Sequence, residues 1–180
     1  MERNNGMSGN GNNRNEAIHV LTPLTRDLAP EVHRIAGEAP PLDVYPLHVY
    51  AIILRDFGRT CMAAVAVAET AGFVTGYLAG DRSDRYFLWQ IGVGMAFRRR
   101  GIGGLLLAST LSLAREAGAR EIFATVDPEN EPSLLLFSRQ GFKPRPGLFG
   151  DPVVDGGGLP LAGNHYRTGN NQVIMHRPLP

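Results

Sequence analysis

A mixed α/β domain built on a mostly antiparallel sheet is the fold class predicted by this chain of 180 residues. Two patterns carry the prediction. Short apolar segments with strand-like alternation crowd together before Gly94, as in a meander, whereas after Gly101 the pattern becomes helix, strand, helix, strand. A third observation bounds the size: 43% apolar and 19% charged residues suit a chain that buries a real core, and the length suits one domain.

The elements follow in order. Residues 1–16 hold six asparagines and three glycines with almost nothing apolar, so a disordered tail is expected ahead of a single domain at 17–180. Ile18 to Leu21 alternates enough for a first strand. Thr25 and Asp27 offer N-cap chemistry for a short helix ending near Ala36, where Gly37 and Pro40-Pro41 stop it. A second helix is expected from about Leu47 to Phe57. Met62 to Ala68 and Gly72 to Leu78 read as strands joined by a turn at Glu69-Thr70-Ala71, with Arg85 to Gly94 as a third. Ile102 to Ala117 places Ile102, Leu105, Leu106 and Leu113 on one helical face, and Gly118 is a C-cap. Glu121 to Val126 is a short buried strand, Ser133 to Arg139 an amphipathic helix closed by Gly141, and Gln172 to Met175 a last strand. Gly156-Gly157-Gly158, between Pro152 and Pro160, marks a long mobile loop. About four helices therefore flank the sheet.

Charge narrows the function. Eighteen basic residues against seventeen acidic ones leave a net charge of +1, so no broad basic field exists to hold a nucleic acid. The longest apolar run, Cys61 to Ala68, is far shorter than the roughly 18 residues of a membrane span, and no apolar h-region follows Met1, so an unexported protein is expected. A soluble, cytoplasmic protein is expected. Cys61, the single cysteine, excludes an internal disulfide. Lys143 is the one lysine, and Arg98, Arg99 and Arg100 stand together.

That triplet opens the informative stretch, Val93 to Gly104, which leaves a strand and enters the long helix. Glycines allow close approach of backbone to a ligand, and a first helical turn presents N–H groups without intrahelical acceptors at the positive end of its dipole. Arginines add charge-assisted bonds to phosphate oxygens. A diphosphate fits; a solvated glycine turn is the plainer alternative. No Gly-Lys-Ser/Thr follows, so this is not a Walker loop, and Leu106 occupies the last glycine position of a dinucleotide fingerprint.

Arg-x-x-Gly-x-Gly before an apolar helix, followed by Thr125 to Asn130, Phe137 and Gly141-Phe142, resembles the GNAT superfamily of acetyltransferases. The resemblance implies a GNAT-like sheet splayed at its centre and acetyl-coenzyme A as co-substrate. It implies that Arg98, Arg99, Arg100, Gly101, Ile102, Gly103 and Gly104 bind the cofactor's pyrophosphate and that Asn130 contacts the pantetheine arm. It also implies that the Trp89 to Val93 strand, through Ile91 and Val93, lies along the thioester. Asn130 is equally placed to cap the following helix.

Leu42-Asp43-Val44, Tyr50, Arg55-Asp56-Phe57, Thr60-Cys61, Gly72 to Tyr77 and Phe87-Leu88-Trp89-Gln90 resemble the diaminobutyrate acetyltransferases of the ectoine pathway. Those enzymes acetylate the γ-amino group of L-2,4-diaminobutyrate, which by position points to Asp43 and Trp89 as substrate contacts. A carboxylate can pair with an ammonium, and an indole face can hold a cation. As plainer alternatives, Asp43 is a helix N-cap and Trp89 a core residue. The chain departs from the family at Tyr45, Pro46 and His48, and Gln172 stands where the family has an acidic residue. His48 and Gln172 are accordingly candidate substrate residues. Another small amine, or cofactor binding without catalysis, remains an alternative, as does a homodimer.

Direct attack of an amine on a thioester needs no nucleophilic side chain, which leaves Cys61 a small buried residue. It does need a neutral amine. Deprotonating an ammonium of pKa near 10.4 at pH 7 costs about 4.6 kcal/mol, so a base or a desolvating pocket would help. Asp43, His48 and His165 with Tyr166 are the candidates, and none stands out. Phe137 occupies the position where many GNAT enzymes carry a tyrosine acid.

Overall fold

The computed structural model describes residues 19–21, 23–66, 68–80, 82–145, 152–163, 166 and 169–180. The expected tail, Ile18 and His165 lie outside the described residues. In chain order the elements are β1 (His19–Leu21), α1 (Ala29–Glu38), α2 (Leu47–Phe57), β2 (Met62–Ala66), β3 (Glu69–Ala79) and β4 (Arg82–Val93). There follow α3 (Ile102–Glu116), β5 (Glu121–Val126), α4 (Glu131–Arg139), β6 (Lys143–Pro144), β7 (Pro152–Val154), β8 (Pro160–Ala162) and β9 (Val173–Pro178).

Seven strands make one sheet in the order β1-β2-β3-β4-β5-β9-β6. Its pairings are antiparallel except β4 with β5. Two apolar layers sandwich it. Val32, Ile35 and Ala36 of α1 and Tyr50, Ile53 and Leu54 of α2 pack with Ala63 and Phe73 on one face. Ile102, Leu106, Leu107 and Leu111 of α3 and Phe137 of α4 pack with Val74, Tyr86, Leu88 and Ile122 on the other.

Several boundaries differ from expectation for local reasons. Thr25 precedes a single 3-10 turn (Arg26–Leu28) and makes no side-chain cap bond. α1 starts instead at Ala29, with Pro30 in its first turn, where a missing N–H is no loss. It runs through Gly37 to Glu38, because Pro40-Pro41 removes donors only beyond its last turn. Glu69-Thr70-Ala71 is strand rather than turn, with Ala68 just before it in the left-handed region (φ 63). On α3, Leu105 faces solvent and Leu113 is only part-buried, while Leu107, Thr110, Leu111 and Ala114 complete the buried stripe. The inward Thr110 hydroxyl is satisfied by donating to the Leu106 carbonyl (2.8 Å). α3 and α4 both end in a paired turn: Ala119 N–H bonds Ala114 O and Gly118 N–H bonds Arg115 O, and Phe142 and Gly141 do the same to Phe137 and Ser138.

The expected loop around Gly156-Gly157-Gly158 is a hairpin, β7 against β8. The Asp155 carboxylate holds its turn by accepting from Gly157 N–H (2.9 Å) and Leu159 N–H (2.6 Å). Leu161 and Ala162 bury themselves against the main domain.

Two irregularities of β4 create the site. The parallel pairing with β5 covers only Arg85↔Glu121, Tyr86↔Ile122 and Phe87↔Phe123. Beyond it β4 continues to Val93 and β5 to Val126, so the strands part in a wedge. On the β3 side the register passes from Gly76↔Leu88 to Thr75↔Gln90, which leaves Trp89 as the extra residue of a bulge.

Candidate active site

A cavity of about 660 Å³ fills the wedge, a size usual for a small-molecule site. Leu88 to Ile91 of β4 and Ala124 to Val126 of β5 form its sides, Asp127, Asn130, Ser133 and Phe137 lead to α4, and Leu42, Asp43 and Tyr45 arrive from the loop between α1 and α2. Tyr77, Tyr166, Asn170 and Gln172 complete the wall.

The bulge explains how one strand serves two faces. Tyr86 and Leu88 lie on the α3 face before the bulge, and Ile91 and Val93 lie on it afterwards, so the alternation changes parity between them. Trp89 packs on the α1/α2 side with Tyr45, their rings 5.1 Å apart. Gln90 reaches the same side, where its amide donates to the Asp43 carbonyl (2.7 Å). The Tyr50 hydroxyl accepts from Tyr45 N–H (3.3 Å) and donates to the same carbonyl (3.4 Å). Backbone bonds thus hold the 43–45 loop over the cavity, and the Asp43 carboxylate and Tyr45 ring hang from it. Asp43 is not the N-cap of α2; that position is Pro46.

Across the wedge, Tyr166 and Thr125 hydroxyls lie 2.8 Å apart. Burial, ahead of the opposing Thr125 bond, raises the Tyr166 pKa above the usual tyrosine value, so its proton is held at neutral pH. Burial likewise raises Tyr77. Cys61 is sealed in the core, its thiol pushed up to about 11 by desolvation, which makes it inert as a nucleophile.

The glycine turn sits at the start of α3. Arg99 (φ 63) and Gly101 (φ 80) are both left-handed, and Gly101 meets that requirement without a Cβ clash. Leu105 N–H bonds Gly101 O (3.0 Å), which leaves the N–H groups of Ile102, Gly103 and Gly104 as the first-turn donors. A Cβ on Gly103 would make ordinary contacts with Leu136 of α4 at 3.4 Å and Val93 at 3.9 Å, so the gap there has room for a methyl group but not for a large side chain. The three arginines divide their work. Arg98 donates to the Glu38 carbonyl (2.6 Å) and the Val93 carbonyl (3.3 Å), so its guanidinium braces the turn. Arg99 and Arg100 are exposed, Arg100 lying 5.6 Å over the Phe97 ring.

Of the residues singled out in the sequence, Asp43, Trp89, Ile91, Asn130 and Gln172 meet at the cavity, whereas Val93 and the 98–104 turn lie beyond its lining. His48 does not join them: it is exposed on the first turn of α2 and outside the lining. Asn130 does cap α4, its Oδ1 accepting from Ser133 N–H (3.2 Å), and it also lines the cavity; its amide NH₂ is not used by that cap. Sequence reasoning missed Tyr45 as a wall residue, Tyr77, Gln90 and Thr125. For the last three only strand alternation was visible, and which face is lined depends on the bulge; Tyr45 lies in a loop, where no periodicity applies. Among the described residues no cluster of three metal-ligating side chains exists, and no helix is long and apolar enough to cross a membrane.

The splayed mixed sheet, the phosphate-type turn and the wedge cavity define an acyl-coenzyme A transferase architecture, and comparison with known proteins gives it a family. Residues 25–142 match the Acetyltransferase (GNAT) family, and the chain belongs to that family, whose enzymes take their acetyl group from acetyl-coenzyme A. It is similar to the L-2,4-diaminobutyric acid acetyltransferase of Nocardia farcinica, 31% identical over 132 residues that cover 73% of this chain and 68% of the relative. Among solved structures, the fold matches Ard1 from Thermoplasma volcanium with a TM-score of 0.74 at 20% identity, over 91% of this chain and 99% of that one. It also matches the diaminobutyrate acetyltransferase EctA from Paenibacillus lautus, in complex with L-2,4-diaminobutyric acid and coenzyme A. There the TM-score is 0.70 at 18% identity, over 92% of this chain and 97% of that one.

Proposed function

We propose that the enzyme transfers the acetyl group of acetyl-coenzyme A to the γ-amino group of L-2,4-diaminobutyrate. The observation that carries this is the convergence of the Asp43 carboxylate and the Trp89 indole on the wedge cavity. A carboxylate and an aromatic face suit an alkyl ammonium, which each favours over a neutral group. In this reading Ile91, Val93, Asn130 and the Arg98–Gly104 turn hold the cofactor, with Arg98 acting through the turn's shape and the first-turn N–H groups of α3 meeting the diphosphate.

The chemistry is direct. The neutral γ-nitrogen attacks the thioester carbonyl carbon, the C–N bond forms as the C–S bond breaks, and coenzyme A leaves as a thiolate. The nitrogen loses a proton and the sulfur gains one. Past Phe87 the β5-facing edge of β4 has no strand partner among the described residues, so its N–H groups are placed to meet the developing oxyanion. Asp43 pairs with the incoming ammonium. Tyr166, which keeps its proton, serves as a donor, the role that Phe137 has no hydroxyl to fill.

Release of free coenzyme A tests the reading. Sustained turnover with L-2,4-diaminobutyrate above that with lysine, ornithine and simple amines is expected; a rate no greater than in buffer would remove this substrate. A second reading rests on one observation: among the described residues, the charged side chains in the cavity lining are Asp43 and Asp127, both acidic. That lining suits a dicationic diamine without a carboxylate. A higher kcat/KM for 1,3-diaminopropane than for diaminobutyrate would select it.

A further inference from the structure

The approach to the α3 turn is thinly supported by its own bonds. Between Val93 and Ile102 the chain makes one 3-10 turn (Met95–Phe97), with Phe97 N–H on Gly94 O (2.9 Å) and a longer Arg98 N–H to Met95 O (3.4 Å). Met95, Ala96 and Arg98 to Gly101 are exposed. What holds this stretch comes from elsewhere, and most of it comes from one residue at the end of α1. The Glu38 carboxylate accepts the Met95 N–H through Oε2 (3.2 Å), and the Glu38 carbonyl accepts Arg98 (2.6 Å). Its other oxygen accepts Arg34 (2.7 Å), whose second guanidinium nitrogen donates to the Thr70 carbonyl on β3 (3.3 Å). Gly94 N–H bonds the neighbouring Ala71 carbonyl (2.9 Å). The turn is therefore stitched to α1 and β3 at three points, with Arg34 tying α1 to β3 behind them.

We propose that Glu38 is a positioning residue for the cofactor diphosphate, holding the 94–101 approach in the shape that presents the turn's N–H groups. The inference rests on the reading of that turn as the diphosphate site. A bound polyanion repays only what the donors do not spend on ordering, so a loop already held by a charge-assisted pair and a backbone bond binds more tightly than a free one. In this role Glu38 acts through the loop it holds, by way of Met95 N–H and the Arg98 guanidinium. The carboxylate that stabilises an anion site is a like charge to its ligand, and it is tolerated because Arg34 offsets it.

The test separates the diphosphate from the rest of the cofactor. Calorimetry gives the Kd of coenzyme A, and competition gives that of pantetheine, which lacks the diphosphate. Glu38→Ala is expected to raise the coenzyme A Kd about fivefold to tenfold, the size expected for one charge-assisted bond and its partner, and to leave the pantetheine Kd unchanged within about twofold. Glu38→Gln, which keeps an acceptor for Met95, should restore most of the loss. Equal weakening of both ligands, or of neither, would overturn the proposal. Gly101→Val is the control on the underlying reading. If it weakens coenzyme A alone while Glu38→Ala does nothing, the turn is the diphosphate site and Glu38 is irrelevant to it. If Gly101→Val leaves coenzyme A unaffected, both fall.

Discussion

The two ends of the wedge are built by opposite strategies. On the cofactor side one continuous run, from Ile91 through the 98–104 turn and α3, presents mainly backbone groups, and its glycines matter for the shapes they permit. On the amine side the wall is made of side chains gathered from the 42–45 loop, β3, β4, β5 and the segment around Tyr166 to Gln172. Backbone donors survive many substitutions, whereas a wall of side chains changes its chemistry with each one.

Four predictions can break or sharpen that contrast. The largest effect is expected from Trp89→Ala, which removes an aromatic wall and its contact with Tyr45: kcat/KM for the amine should fall about 100-fold, the roughly 2.7 kcal/mol of a buried aromatic anchor, with the coenzyme A Kd within about twofold. Equal loss on both ligands would mean that the two sides are not separable.

Gly103→Leu tests the cofactor side. Its side chain must enter the gap against Leu136 and Val93, so coenzyme A binding should weaken about 30-fold by overpacking of roughly 2 kcal/mol, while Gly103→Ala, whose Cβ makes ordinary contacts, should lie near the parent. Asp43→Asn keeps the shape and removes the charge. The amine KM should rise about tenfold, as for a lost charge-assisted bond, and His48→Ala, outside the cavity, should leave both KM values alone.

The smallest effect concerns neither ligand. Burial raises the Glu121 carboxyl, but bonds from Arg85 (2.7 Å) and His176 (2.8 Å) outweigh it and leave the pKa below the usual carboxylate value. A folded pKa below the unfolded one means stability that is present above the unfolded pKa and lost as pH falls through the folded value. The thermal midpoint should therefore drop on acidification from pH 7 into the carboxylate range. Glu121→Gln should lower the midpoint at pH 7 by about 2–4 °C and flatten that part of the slope; an unchanged slope would assign the pH dependence to other carboxylates.

This contrast also explains what the residues alone made legible. α2, α3, β5 and the phosphate-type turn announce themselves through local periodicity and glycine placement, and the family followed from them. Nothing local marks His48 as pointing away from the site, because a histidine one turn into a helix can face either way until the helix has packed. Tyr77 and Thr125 sit in ordinary alternating strands and become wall residues only where β4 and β5 part after three paired positions. The hairpin at β7–β8 was hidden for the opposite reason: three consecutive glycines suggest freedom, while the order comes from the single Asp155 carboxylate.

The extra residue at Trp89 means that β4 is written in two reading frames. Upstream of it the even-numbered residues face α3, and downstream the odd-numbered ones do. Removing one residue there would restore simple alternation, with Leu88, Ile91 and Val93 still facing α3 and Gln90 still opposite, and would cost the strand its second consecutive side chain on the α1/α2 side. The bulge is thus what lets one strand set two adjacent side chains, Trp89 and Gln90, on the α1/α2 side of the cavity, where a regular strand would set one.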